Sequence, residues 1–301
     1  MIAPSLTPGG LIGLCSPSHV ARRGVYAPIL DALRSRGYRV LEADNLYSDT
    51  DGYLATPQER AADFNQLIRH PGVELVFFGG GEGSCELLPY LDFDAIRAHP
   101  QRIGSYSDGT TILDAVYART GLEVYYGLAP RLMKDAGPYE WESFERFLTR
   151  DSDEHIASGP WQTLTPGRAE GVLFGGYARN LALLLGDPCR FPLDPDAPFV
   201  LFLEDHEQFG DVAYVSAMLS NIEQRPFIRQ VTGLLFGHYS EPTSPELLAR
   251  LRRFGREHGI PVAYCDDFGH GARHTLLRVG HRVQLDAGEG TLRYLGTEPN
   301  A

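Results

Sequence analysis

The stretch Arg102-Ile-Gly-Ser-Tyr-Ser-Asp-Gly-Thr-Thr111 decides the fold, because it joins a strand, a sharp turn and a helix within a few residues. Its first residues form a short apolar run that favours a strand, and the turn carries Ser107. The segment that follows, up to Arg119, has the pattern of a helix that Gly121 closes. A serine at the apex of such a turn is typical of a nucleophile elbow.

The frame around this turn is Ser105-x-Ser107-x-Gly109. A nucleophile elbow keeps both outer positions small, because bulky side chains would collide across the strained turn. At the start of a helix, Ser107 would also lie near backbone N–H groups that no helical carbonyl satisfies, and such donors can hold an oxyanion. The alternative is that Ser107 and Asp108 form an N-cap pair, a position that both residue types favour.

Short apolar runs alternate with helical patterns on both sides of the elbow. Further strands are predicted at 11–15, 38–42, 73–78 and 122–126, with helices at 26–36 and 56–69. This alternation predicts an α/β fold with a doubly wound, mostly parallel sheet. Ligands bind such sheets beyond the carboxyl ends of the strands. Ser107 and the glycine run that starts at Gly79 both follow strand ends.

The second half has a different pattern, which predicts a second domain. Residues 1–140 form the predicted nucleophile-bearing domain, and 141–168 is the predicted linker. A helix is expected at 139–149, followed by a polar stretch without regular structure up to Gly167. Residues 169–301 are predicted to form a β-rich, mixed α/β domain. Its predicted helices are 180–185, 212–222 and 245–258, with strands at 171–174, 199–203, 232–236 and 262–265. Three short antiparallel strands are expected at 276–279, 282–285 and 291–295.

The composition excludes some classes of function. The chain has 301 residues, near the length at which one core becomes two, and 43% of them are hydrophobic. Its formal net charge is −12 without a basic run, which argues against a nucleic-acid partner. A signal-peptide pattern and an apolar run of membrane-spanning length are both missing from the sequence, so no membrane partner is expected. The scattered cysteines without a C-x-x-C pair are predicted to be buried free thiols of a cytoplasmic protein; they are Cys15, Cys85, Cys189 and Cys265.

A nucleophilic serine needs a base, usually histidine, and a third group that orients the base. Among the histidines, His238 and His270 follow apolar strands, and the glycine before His270 lets the backbone approach closely. His270 could equally be a loop histidine whose ring nitrogens are hydrogen-bonded and that has no catalytic role. The orienting carboxylate is predicted to be Glu204, because an ionisable group that ends an apolar strand needs a partner; a salt bridge or a helix cap is the alternative. The remaining histidines considered are predicted to lie at the surface; they are His70, His99, His155, His258 and His281.

Two other motifs could form a functional site. The run Gly79-Gly-Gly-Glu-Gly-Ser84 follows a strand, but it fits neither the dinucleotide fingerprint nor the P-loop. It could instead offer backbone N–H groups toward Ser107. A metal site is the second possibility, since four potential ligands cluster in a segment that has the pattern of a loop and lacks H-E-x-x-H; they are Asp266, Asp267, His270 and His274.

These motifs together resemble the serine LD-carboxypeptidase family, which also contains the microcin-immunity peptidases. The resemblance spans nearly the whole chain and keeps the order of the family's motifs. The matching segments are Leu11 to Ser18, Gly52-Tyr-Leu-Ala55, Glu59-Arg-Ala-Ala-Asp-Phe-Asn65, Gly80 to Ser84, Leu87 to Asp92, Tyr106-Ser-Asp108, Phe202-Leu-Glu-Asp205 and Gly269-His270.

The resemblance implies a Ser-His-Glu mechanism. Ser107 would be the nucleophile, His270 the general base and then general acid, and Glu204 the residue that orients His270. The backbone N–H groups of Gly81 and Asp108 would form the oxyanion hole. The glycine loop and the nucleophile motif also provide the candidate substrate-binding residues, which are Gly80, Glu82 and Tyr106.

The resemblance also has implications for cofactors, partners and substrate. Its members are typically homodimers without a metal or an organic cofactor, with the serine on the first domain and the histidine and glutamate on the second. Their known substrate is a small peptide, cytoplasmic murein tetrapeptide, from which they remove the terminal D-alanine.

This chain departs from the family pattern at three positions. The family's glycine loop usually reads Arg-Gly-Gly-Tyr-Gly, where this chain has Gly79 and Glu82 in place of arginine and tyrosine. Ser105 stands where the family's nucleophile motif commonly has glycine.

A microcin-immunity-like peptidase that cleaves aminoacyl-nucleotide or peptidyl-nucleotide conjugates is the alternative enzyme. A non-catalytic two-domain protein that binds a small anion is the alternative from another class.

Overall fold

The computed structural model describes residues 1–155, 157–186 and 191–296. The chain divides into two compact units, Met1–Asp151 and Ser152–Ala301. The first unit contains the predicted elbow, and the second contains both Glu204 and His270. Cys189 lies outside the described residues.

The first unit is built on a parallel sheet, as the alternating pattern predicts. Its strands are β1 (Leu11–Cys15), β2 (Arg39–Glu42), β3 (Val73–Phe78), β4 (Arg102–Ser105) and β5 (Val124–Tyr126). They lie in the order β5-β4-β3-β1-β2, and every neighbouring pair is parallel. The helices are α1 (Arg23–Ser35), α2 (Pro57–Arg69), α3 (Phe93–Ala98), α4 (Thr110–Thr120), α5 (Pro130–Met133) and α6 (Pro138–Leu148).

Local sequence signals account for the ends of these helices. Thr56 caps α2 in a capping box with Glu59, and Pro57 occupies the first helical position. Gly121 ends α4 in the left-handed conformation that glycine adopts without steric cost. The strands β3 and β4 between them are almost wholly buried, as expected for a parallel sheet with helices on both faces.

The second unit has a mixed sheet. Its strands are β6 (Gln162–Thr165), β7 (Arg168–Tyr177), β8 (Phe199–Glu204), β9 (Val231–His238), β10 (Val262–Gly269), β11 (Leu277–Val279), β12 (Arg282–Asp286) and β13 (Thr291–Tyr294). Seven of them lie in the order β13-β12-β7-β8-β9-β10-β6, with a parallel centre from β7 to β10 and antiparallel edges. The helices are α7 (Ala178–Leu184), α8 (Val212–Glu223) and α9 (Pro245–His258). This confirms the predicted fold class of a mixed, β-rich second domain.

Several sequence predictions are corrected by the structure. Strand β6 lies inside the stretch expected to lack regular structure, because Gln162 to Thr165 pairs with β10, which is distant in sequence. Strand β10 continues to Gly269, so Asp266 and Asp267 lie on a strand rather than a loop. Of the three closing strands, β12 and β13 form the expected antiparallel pair. The other neighbour of β12 in this sheet is β7, not β11.

Burial also differs from expectation at three residues. Cys15 and Cys265 are buried free thiols, but Cys85 is exposed, because it lies in the short 3-10 turn Ser84–Leu87 rather than on a strand. His155 and His281 were expected at the surface and are buried. Within the described ranges, the helices are all too short or too polar to cross a membrane.

Candidate active site

Ser107 lies on a strained turn between β4 and α4. Its φ is 58°, in the left-handed region that a residue with a side chain rarely adopts. A 3-10 turn at Ser107–Gly109 then leads directly into α4. The N-cap residues are Tyr106 for this turn and Gly109 for α4, and neither supplies a side-chain cap. The backbone therefore has the form of a nucleophile elbow, and Ser107 does not occupy the cap position of α4.

The two outer positions of the elbow contact each other. A Cβ atom built on Gly109 would lie 2.7 Å from the Cβ of Ser105, and closer still to its hydroxyl. Only glycine fits at position 109, because the Ser105 side chain already fills the space that a side chain there would need. The small residues at both positions thus have the steric reason that the sequence suggested.

The glycine loop packs against this elbow. A Cβ atom on Gly80 would lie 2.6 Å from the Ser107 Cβ and 3.0 Å from the Tyr106 carbonyl oxygen. The Ser84 backbone N–H donates to the Asp108 carboxylate at 2.9 Å, and the Ser84 hydroxyl donates to the Asp108 carbonyl at 2.7 Å. These contacts hold the loop beside the serine.

The side chain of His19 lies beside the first residue of the same loop. The imidazole of His19 occupies the space beside Gly79, where a Cβ atom would lie 2.8 Å from its Cε1 atom. His19 is held there by a 2.9 Å hydrogen bond between its Nε2 and the Tyr26 hydroxyl. Burial lowers the pKa of His19 to about 4, so this imidazole is neutral at pH 7 and does not replace the missing cation.

Glu82 and Tyr106, the other candidate substrate-binding residues, flank the elbow and the loop. Tyr106 is extended, with its ring 6.5 Å from the ring of Tyr126, and the Tyr126 hydroxyl accepts the Ser107 backbone N–H at 3.0 Å. Glu82 is exposed, and its backbone N–H donates to Ser18 at 2.8 Å. Its side chain lines a cavity of about 770 Å³ within the first unit, together with Arg22.

In the second unit, the structure brings Glu204 and His270 together. Glu204 is the last residue of β8 and is fully buried, and His270 follows Gly269 at the end of β10. The His270 Nδ1 lies 2.8 Å from the Glu204 Oε2. Gly269 has a φ of +103°, which suits glycine, and a Cβ atom at this position would lie 3.3 Å from the Glu204 Cβ and 3.1 Å from the His238 carbonyl oxygen. Glu204 therefore has the partner that its burial requires, and the proton on Nδ1 leaves Nε2 able to act as a base.

The charge of Glu204 also sets the basicity of His270. Burial alone would lower the pKa of His270, but the attraction and the hydrogen bond of Glu204 outweigh it, and the pKa is raised above its usual value. Burial and the neighbouring Glu204 raise the pKa of Asp205 to about 7. The buried end of β8 thus carries one carboxylate bound to an imidazole and a second that takes up a proton near neutral pH.

Two further residues beside His270, His206 and Phe209, were not singled out as site residues from the sequence. The His206 ring centroid lies 6.1 Å from that of His270 and 5.8 Å from that of His238. Phe209 is 60% exposed, and its ring centroid lies 5.1 Å from that of His270. The available signal was their position just after the strand that ends at Glu204, at the carboxyl edge where binding residues gather.

Three of the four residues considered as metal ligands, Asp266, Asp267 and His270, pair with separate residues. Asp266 accepts from His238, and Asp267 lies 2.8 Å from His155, which explains why this histidine is buried. Asp267 also accepts hydrogen bonds from Ser158 and Trp161. Among the described residues, three or more potential ligands nowhere gather into a metal-binding group. The histidine and carboxylates of this segment are instead organised as pairs.

A serine on a strained elbow with a glycine loop packed against it, and a histidine held by a buried carboxylate, are typical components of serine hydrolases. Comparison with known proteins gives the same class. Residues 12–127 match the LD-carboxypeptidase N-terminal domain, and residues 170–285 match the LD-carboxypeptidase C-terminal domain. The chain belongs to the LD-carboxypeptidase family, whose members are serine carboxypeptidases.

Curated relatives cover almost the whole chain. The microcin C7 self-immunity protein MccF of Escherichia coli is 29% identical, over 99% of this chain and 98% of its own. The murein tetrapeptide carboxypeptidase of Pseudomonas aeruginosa is 27% identical, over 78% of this chain and 80% of its own. Both enzyme types that the sequence suggested are therefore represented among the relatives.

Solved structures share the fold. An MccF-like protein from Bacillus anthracis superposes with a TM-score of 0.89 at 22% identity, covering 97% of this chain and 98% of the other. Wild-type MccF without ligand has a TM-score of 0.87 at 25% identity and covers 99% of both chains. The muramoyltetrapeptide carboxypeptidase from Oxalobacter formigenes has a TM-score of 0.79 at 23% identity, with 94% and 97% covered.

Proposed function

We propose that this protein is a serine LD-carboxypeptidase that hydrolyses the L,D-amide bond of murein tetrapeptide, or of a related small peptide conjugate, and releases the terminal D-alanine. The observation that supports it most is the 2.8 Å contact between His270 and the fully buried Glu204. A histidine oriented in this way is prepared to accept a proton on its other nitrogen. The strained elbow at Ser107 provides a matching nucleophile.

In the proposed reaction, His270 Nε2 takes the proton of the Ser107 hydroxyl as Oγ bonds to the carbonyl carbon. The carbonyl oxygen becomes an oxyanion, for which the backbone N–H groups of Gly81 and Asp108 are the proposed donors. The C–N bond then breaks, and His270 returns its proton to the leaving amine of D-alanine. Water hydrolyses the acyl-serine by the same route in reverse. Glu204 stabilises the imidazolium throughout.

Mass spectrometry of murein tetrapeptide incubated with the purified protein tests this function. We expect loss of one D-alanine with the wild-type chain and none with Ser107→Ala. A suitable control is Ser35→Ala, because Ser35 ends α1 at the surface and only bonds the Ala32 carbonyl. Intact tetrapeptide after incubation with wild type would contradict the proposal.

A microcin-immunity-like peptidase is the second candidate, and the full-length similarity to MccF is the observation that favours it. MccF has been solved with aspartyl sulfamoyl adenosine. Incubation of this compound with the chain separates the two candidates. Release of aspartate while murein tetrapeptide stays intact would establish the second candidate and overturn the first.

The third reading, a non-catalytic protein that binds a small anion, makes a different prediction. It predicts a ligand-dependent rise in melting temperature without any product, and no effect of Ser107→Ala. Either enzymatic result above excludes it.

We further propose that the protein is a cytoplasmic homodimer, as its family resemblance implies. The free thiols of Cys15 and Cys265 suit a reducing compartment. Sedimentation equilibrium should give a mass near twice 33.3 kDa; a monomer at micromolar concentration would contradict the dimer.

A further inference from the structure

A carboxypeptidase must bind the free carboxylate at the end of its substrate. In the proposed reaction, His270 protonates the leaving amine, and the terminal carboxylate carbon is two covalent bonds, roughly 2.5 Å, from that nitrogen. The carboxylate partner therefore belongs close to His270. The family's loop arginine is missing here, and His19 fills the space beside Gly79 without carrying a charge at neutral pH.

His206 has the required chemistry and position. Its ring centroid lies 6.1 Å from that of His270, and the residue is 9% exposed. Its Nδ1 accepts the Gln208 backbone N–H at 3.1 Å, so the proton of the neutral ring is on Nε2. His206 thus keeps an N–H donor on the ring atom that the loop does not use.

The loop that carries His206 is firmly held. The Phe209 and Gly210 backbone N–H groups donate to the His206 carbonyl at 2.9 and 3.1 Å, and the Glu207 N–H donates to Tyr239 at 3.1 Å. The His206 N–H itself donates to the Asp205 carboxylate at 2.8 Å. An imidazole on such a braced loop loses little conformational entropy when it binds a ligand.

The charges around His206 distinguish it from its neighbours. His270 is paired with Glu204 and His238 with Asp266, each at 2.8 Å, whereas His206 forms no ion pair with a carboxylate in the described part of the chain. Burial and the positive charge of the other two imidazoles lower the pKa of His206. The titratable groups around it are Glu204, Asp205, Glu207, His238, Asp266 and His270.

We propose, on the basis of the function proposed above, that His206 binds the terminal carboxylate of the substrate through its Nε2–H. It is a substrate-binding residue that makes the enzyme a carboxypeptidase rather than an endopeptidase. The neutral imidazole makes this bond, because its Nδ1 accepts the Gln208 N–H and its proton is on Nε2.

The test compares two peptides that differ only at the end: a tetrapeptide with a terminal D-alanine acid and the same peptide as the D-alanine amide. Calorimetric binding to the Ser107→Ala protein is measured for both. We expect the acid to bind about 10- to 100-fold more tightly than the amide, the range for a hydrogen bond to a charged group.

Two substitutions separate binding from loop structure. Added to Ser107→Ala, His206→Asn keeps an acceptor for the Gln208 N–H but removes the Nε2 donor, and should abolish most of the preference for the acid without weakening the amide. His206→Gln keeps a neutral donor and should retain part of the preference. His258→Gln, a half-buried histidine beside Glu223 in the same unit, is the control and should change neither.

Equal binding of acid and amide to the Ser107→Ala protein would overturn the role of His206. Equal weakening of both peptides by His206→Asn would overturn it as well, because it would indicate a structural residue. Failure of the proposed function has a separate signature: the acid preference and its loss in His206→Asn are present, but wild type releases no D-alanine.

Discussion

At the scale of single residues, the close contact between Gly80 and Ser107 predicts that a larger residue at position 80 impairs catalysis. A methyl group at position 80 would meet the Ser107 Cβ at 2.6 Å, so Gly80→Ala must displace either the loop or the nucleophile. We expect kcat to fall by about 100-fold or more, since small misplacements of a reacting group have effects of this size.

Gly24→Ala is the matched control, because a Cβ at Gly24 meets no atom within 4 Å. Hydrolysis of an L,D-peptide by both variants, with circular dichroism to verify folding, is the measurement. A folded Gly80→Ala enzyme with unchanged kcat would show that the elbow tolerates movement of this loop.

The Glu204–His270 pair predicts a change in pH dependence. The pKa of His270 is raised because the attraction and hydrogen bond of Glu204 outweigh burial. A base must be deprotonated to act, so kcat/KM should fall as the pH drops through this raised pKa. Glu204→Gln removes the charge, and the acid limb should therefore move to lower pH.

The same substitution should reduce kcat/KM at its optimum by about 10³- to 10⁴-fold, because the imidazole loses its orienting carboxylate. A pH profile of both proteins against the same peptide measures the two effects. An acid limb that stays in place in Glu204→Gln would mean that another group sets the profile.

At the scale of elements, helix α4 carries an unusual buried acid. Asp114 is fully buried, and within the described residues neither of its carboxylate oxygens has a hydrogen-bond partner. Burial raises the pKa of Asp114 well above its usual value. The folded state therefore binds a proton that the unfolded state releases above about pH 4, and stability should fall as the pH rises from there toward the raised pKa.

Asp114→Asn should remove this contribution, which amounts to about 1.4 kcal/mol per pH unit within that window. Urea unfolding of wild type and variant at several pH values measures it as a difference. Asp31→Asn, at an exposed position of α1, is the control. Parallel stability curves for wild type and Asp114→Asn would contradict the expectation.

Some elements could be predicted from the sequence and others could not. The elbow was predictable, because a strand, a turn with small residues and a helix are adjacent in the chain. The strand Gln162–Thr165 was not, because its residues are partly or fully exposed and its pairing with β10 joins distant segments. The burial of His155 depends in the same way on Asp267, more than a hundred residues away.

At the scale of the whole molecule, the fold class and the family could be predicted, because ordered motifs extend over both units. The cost of burying a carboxylate at a strand end predicted that Glu204 has a partner, and the resemblance to the family implied that this partner is His270. The role proposed for His206 could not be predicted, since it depends on three imidazoles that the topology of β8, β9 and β10 gathers at one edge.

The central claim is that Ser107 and His270, which lie on different units, act in one mechanism. Measuring kcat/KM for Ser107→Ala, His270→Ala and the double variant on one L,D-peptide tests it most directly. Groups that act together are strongly non-additive, so each single substitution should cost about 10⁴-fold or more and the double variant little beyond that. Two small losses that multiply in the double variant would show that the residues act independently and would contradict the shared mechanism.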